Sequence, residues 1–163
     1  MPATRALQPR TTADNLRLQS TLREIVEQRG CFHTVLGVKA SSFDPRMPQL
    51  SFDMRPQLIG HFDSGRLHGG VIAAALDAAA GFAIALAVAE RHAAESVEKI
   101  LARLGRLSTI DLRVDYLHPG LGKCFVAGAT INRIGERIAA VQMHLHNEAN
   151  LLIATGAAAY LIS

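Results

Sequence analysis

From Val71 to Ala89 the chain reads VIAAALDAAAGFAIALAVA, an almost unbroken apolar run with one ionisable residue, Asp77, near its middle. Such a run is close to the ~20 residues that span a bilayer. Its alanines, however, contribute little transfer energy, and a mid-span carboxylate costs roughly 2.5 to 3.5 kcal/mol on insertion scales. A helix apolar on every side can instead be the central helix of a soluble domain, covered all round by other elements. No membrane span is expected, and the rest of the sequence must supply the cover.

Most of that cover reads as β-structure. Ile110, Leu112, Val114 and Tyr116 alternate with Thr109, Asp111, Arg113 and Asp115, the pattern of a half-buried strand that places Tyr116 in the core. Further strands are expected near Lys123–Arg133, around Val141–His146, where His144 and His146 take the solvated face, and over Leu151–Ile162. Four consecutive strands with short connections suggest an antiparallel meander curled around the helix. Upstream, Thr12 to about Arg29 reads as a helix with Leu18, Leu22, Ile25 and Val26 on one stripe and Gly30 as its stop. Strand-like runs at Cys31–Ala40 and Gln49–Met54 follow, then a loop over Pro56–Leu67. A short amphipathic helix fits Glu95–Leu104. The expected fold is α+β, a curved antiparallel sheet wrapped around one long central helix. Residues 1–30 form a tail, without pattern to about residue 12, and a helix; residues 31–163 form the domain proper.

With 163 residues, 49% hydrophobic and 19% charged, the chain has the length of one domain and enough apolar content for a real core. No N-terminal stretch has the build of a secretory signal. Two cysteines, Cys31 and Cys124, suggest neither a disulfide framework nor a zinc site, so a reducing cytoplasm is the expected location. Net charge is +3, with the basic residues spread out. That argues against a nucleic-acid partner and suits a small anionic ligand.

The turn into the long helix, His68-Gly69-Gly70, is where chemistry is expected. Backbone N–H groups at a helix N-terminus are unsatisfied and carry the positive end of the macrodipole. Left uncovered by glycine, they suit a carbonyl oxygen that gains negative charge during acyl transfer. On Gly-Gly alone, a turn that merely admits the chain to a crowded core is the favoured reading. Asp77 changes the weighing. A carboxylate in a buried alanine-rich helix is costly unless paired, and such groups concentrate at functional sites. A structural aspartate bonded to a neighbouring strand or subunit is the rival reading.

Gly69 and Asp77 stand roughly 12 Å apart on one helix. They cannot both reach one carbonyl, since reacting atoms must come within about 3 to 3.5 Å. If both act on one substrate, they come from different protomers. Two such helices packed antiparallel would set Gly69 of one against Asp77 of the other, which requires a dimer with two symmetric sites.

His68-Gly69-Gly70 with Asp77 at this spacing resembles the PaaI-type hotdog-fold thioesterases. The runs IGHFDSGRLHGGVIAAALD and TIDLRVDYLHPG are especially similar to the YigI branch. The resemblance covers about residues 30–162. It implies an acyl-CoA thioesterase in which Asp77 is general base or nucleophile on the thioester and the Gly69 N–H polarises the carbonyl. It further implies that the Thr109 hydroxyl helps hold the attacking water, while His68 and Gly70 shape the substrate-binding turn. The implied substrates are medium- to long-chain acyl-CoAs, with coenzyme A entering as part of the substrate and no cofactor or metal. A homodimer or homotetramer with sites at the subunit interface follows from the same resemblance. One departure stands out: many relatives carry an Asn shortly before the HGG, and here no Asn occurs between Asn15 and Asn132. His61 is the nearest polar substitute, either a fourth site residue or a solvated loop histidine. Arg113, Arg133 and Arg137 could contact CoA phosphates, with surface charge as the simpler reading. A hydratase would need a His–carboxylate pair that is not evident. A non-catalytic acyl-CoA-binding protein is the alternative function.

Overall fold

The computed structural model describes residues 9–162, so most of the expected N-terminal tail lies outside the described residues. The apolar run forms one helix, α3 (Gly69–Arg91). It is long and apolar enough to cross a membrane, but 67% of its most apolar window is packed inside the protein. Leu76, Ala80 and Ile84, one turn apart along α3, are each fully buried. Their cover is a six-stranded antiparallel sheet of β1 (Lys39–Ser42), β2 (Gln49–Asp53), β5 (Ser108–Tyr116), β6 (Cys124–Ile134), β7 (Ile138–Asn147) and β8 (Leu152–Leu161). Inward-facing Phe125, Ala127 and Ala129 of β6 and Val141, Met143 and Leu145 of β7 meet the helix. His144 and His146 lie on the opposite, outer face and are half-buried, their rings edge-to-face at 5.2 Å.

Alanine and glycine let sheet and helix approach closely. A Cβ at Gly156 of β8 would stand 2.9 Å from the Arg113 carbonyl and 3.5 Å from Leu76 Cδ1. The spatial strand order is β1-β2-β6-β7-β8-β5. Only β6, β7 and β8 form the expected meander; β5 crosses to the far edge and pairs with β8. That edge position also corrects Tyr116, which is 55% exposed and no core residue.

The N-terminal helix α1 (Thr12–Glu24) begins one residue earlier than Thr12 would cap it. Thr11 Oγ1 accepts the Asp14 N–H at 3.1 Å, and the Asp14 carboxylate accepts the Thr11 N–H at 3.2 Å, a reciprocal capping box. That bonding holds the Asp14 carboxyl below its usual range. The helix ends in a π turn over Ile25–Arg29, closed by the Gly30 N–H donating to the Ile25 carbonyl at 2.9 Å. Leu18, Leu22 and Val26 join the main core. Cys31–Leu36, read as strand from its sequence, is a short helix, α2, ended by Gly37 at φ 72°. The expected loop over 56–67 contains a 3-10 turn and a small ribbon of β3 (Ile59–His61) and β4 (Arg66–Leu67). After α3, the short helix α4 (Val97–Leu104) is capped by Ser96 and pinned to the preceding turn by two Arg103–Glu95 hydrogen bonds of 2.7 and 2.6 Å.

Candidate active site

The β3–β4 ribbon delivers the chain to the start of α3. A Cβ at Gly60 would lie 2.4 Å from His68 Cα, so the ribbon can press against the helix entry only with glycine there. The His68 N–H donates to the Leu58 carbonyl at 2.9 Å, and His68 is the N-cap, with extended backbone. Its Nδ1 accepts the Gly70 N–H at 2.9 Å, while the Val71 and Ile72 N–H groups turn to the His68 carbonyl. The Gly69 N–H has no acceptor among the described residues. The Gly69 carbonyl, in turn, accepts from the Tyr116 hydroxyl at 3.0 Å. The turn thus presents one uncommitted donor at the positive end of a 23-residue helix.

Asp77, two turns into α3, is half-buried rather than fully enclosed. Two hydroxyls reach it from the edge strand β5 and its neighbour β8. Thr109 of β5 donates to Asp77 Oδ1 at 2.9 Å, and Tyr160 of β8 donates to the same oxygen at 2.6 Å. Thr109 and Tyr160 are cross-strand partners, beside a bulge that ends before Asp111. Tyr160 is 2% exposed; burial first, and then its bond to Asp77, push its phenol far above the ordinary range. It is therefore a permanent donor at any working pH.

Beside the carboxylate lies a cavity of about 460 Å³ between α1, its π turn, α3 and α4. Asp77 forms part of its wall, and most of the rest is apolar: Leu22, Val26, Gly81, Phe82, Ala85, Leu104. A volume of this size holds a small organic ligand.

Residues 64–154 match the thioesterase superfamily, a stretch that contains the glycine turn, Asp77 and Thr109. The chain belongs to that superfamily. The medium/long-chain acyl-CoA thioesterase YigI of Escherichia coli strain K12 is 40% identical to this thioesterase over 131 residues, 80% of this chain and 84% of YigI. The Salmonella typhimurium YigI matches to the same extent. A Shewanella oneidensis protein related to the thioesterase superfamily superposes with TM-score 0.87 at 32% identity, covering 94% of this chain and all of the other. Mouse thioesterase superfamily member 2, at 22% identity and TM-score 0.69, shares the fold. The hotdog architecture read from the helix and its sheet is the architecture of these proteins.

Of the residues singled out in the sequence, the thioesterase brings Thr109 onto Asp77 and His68 onto Gly70, and keeps Gly69 about two turns away from Asp77, at the start of the same helix. His61 stands exposed at the end of β3, its ring parallel to exposed Phe62 with centroids 6.0 Å apart. Arg113 is engaged with Asp115 at 3.1 Å on the outer face. No metal-binding group of three or more His, Cys, Asp or Glu occurs among the described residues. Sequence reasoning missed Tyr160, which sits in an apolar strand and reads there as core.

Proposed function

We propose that this protein hydrolyses medium- to long-chain acyl-CoA to free acid and CoA, with Asp77 as its base. The observation that carries this reading is the carboxylate placed in the wall of an aliphatic cavity, its Oδ1 held by two hydroxyls. The 40% identity to a medium/long-chain acyl-CoA thioesterase supports the substrate class. In this reaction the acyl chain lies in the cavity and the thioester carbonyl accepts the Gly69 N–H of a partner protomer. Asp77 draws a proton from water as the water oxygen bonds to the carbonyl carbon. The charge that collects on the carbonyl oxygen is met by that N–H and the helix dipole. The C–S bond then breaks, and CoA leaves as a thiolate that needs no strong acid. His68 and Gly70 shape the turn, and Thr109 steadies both carboxylate and water. The protein works as a homodimer or a pair of dimers in the cytoplasm, without a cofactor.

CoA release from acyl-CoAs of graded chain length, with wild type and Asp77→Ala in parallel, tests the reading. Turnover on medium and long chains that falls about 10²- to 10⁴-fold in the folded variant is the expected result. A wild-type protein that binds acyl-CoA and releases no CoA overturns it in favour of a binding protein.

A further inference from the structure

We infer that Tyr160 is a positioning residue that, with Thr109, commits Oδ1 of Asp77 and leaves Oδ2 as the oxygen that takes the proton; this rests on the reading of Asp77 as the base. Three observations carry it. First, both hydroxyls converge on one oxygen, at 2.6 and 2.9 Å, and Oδ2 accepts no hydrogen bond among the described residues. A carboxylate oxygen that already accepts two donors has spent its in-plane lone pairs, so the free basicity lies on the other oxygen. Second, the Tyr160 hydroxyl is also 3.2 Å from the backbone carbonyl of Asp77. One phenol thus touches main chain and side chain of the same residue, which fixes the carboxylate's rotamer on the helix surface. Third, the two donors differ in rigidity. Thr109 is exposed on an edge strand, whereas Tyr160 is buried on β8, where Ala139 is its partner on β7 and Thr109 its partner on β5. The buried phenol is the anchor and Thr109 the adjustable member. Raised far from its ordinary range by burial, the phenol never becomes a competing anion beside Asp77.

A residue that only orients the base should alter the chemical step and leave substrate binding alone. Tyr160→Phe removes one oxygen and keeps the ring that fills the core. On a medium-chain acyl-CoA, kcat per folded protein should fall about 10- to 100-fold, the scale of a slightly misplaced reacting group, with KM within about twofold of wild type. Folded fraction, read by circular dichroism at the assay temperature, normalises the comparison. A kcat that stays within about twofold of wild type, a loss confined to KM, or a loss that merely tracks the folded fraction each overturns the assignment. The same series includes Asp77→Ala. If that variant turns over at the wild-type rate, the base assignment has failed, a result distinct from a silent Tyr160→Phe beside a dead Asp77→Ala.

Discussion

One backbone donor separates the two glycines at the start of α3. The Gly70 N–H is taken by the His68 ring at 2.9 Å, and the Gly69 N–H is left free. Its role can be tested by deleting that hydrogen alone, because the site tolerates proline. Gly69 is the first helical residue, where no intrahelical bond is lost and proline's φ near −65° fits. His68 is already extended at φ −65° and ψ 139°, as a residue before proline must be. The nearest atoms to a Cβ at 69 belong to the Tyr116 side chain, at an ordinary 3.5 Å. Gly69→Pro should therefore fold, with an unchanged thermal midpoint, and lose about 10²- to 10³-fold in kcat, the worth of one oxyanion donor. Steady-state CoA release decides; full turnover in the folded variant removes Gly69 from the oxyanion role.

At the scale of elements, α3 is both wall and scaffold. Asp77, Gly81 and Ala85 follow one another at one-turn intervals along the cavity. A mid-helix glycine costs about 1 kcal/mol relative to alanine, so Gly81 weakens the helix while it widens the channel. A Cβ there would touch only Leu107, at 3.7 Å, and a longer side chain would enter the cavity. Gly81→Leu should raise the unfolding midpoint and cut kcat/KM for long acyl-CoAs at least about tenfold more than for short ones, as lost pocket depth removes binding energy from the chain. A uniform change across chain lengths would place the acyl group elsewhere. The helix that carries this geometry was legible in the sequence, because nineteen near-continuous apolar positions have few other uses. Asp77 and the glycine turn stood out in the sequence as candidates, a carboxylate in an apolar helix and a glycine pair at its start, and the structure leaves the Gly69 N–H uncommitted and gives Asp77 two hydroxyl partners. What escaped was long-range. The seven residues from Leu117 to Lys123 reach roughly 23 Å, ample for three strand spacings of about 4.8 Å, so nothing local forbade β5 from crossing to the far edge. Tyr160 escaped for the same reason, since only the β5–β8 pairing turns an apolar-strand tyrosine towards Asp77. Cys31–Leu36 carries Phe, Thr and Val, which favour strand, and the αL stop at Gly37 after one short helix outweighs that preference.

For the whole molecule, the separation of Gly69 and Asp77 is the deciding quantity. One rigid helix holds them about 12 Å apart, so a single protomer cannot bring both to one thioester. A two-fold pair of α3 helices can, and each site then takes its donor from one chain and its base from the other. Two dead variants test this against each other. Asp77→Ala keeps its Gly69 donor and Gly69→Pro keeps its Asp77 base. When both are co-expressed and assemble at random, half of the dimers are mixed. Each mixed dimer contains one site with both groups intact and one with neither. The mixture should therefore recover about a quarter of wild-type turnover, although each variant alone is inactive. Sites built within a single chain have no intact combination in any dimer, and the mixture would stay at background. Recovery thus requires catalysis across the subunit boundary. It would also make turnover per chain fall on dilution below the dimer's dissociation constant.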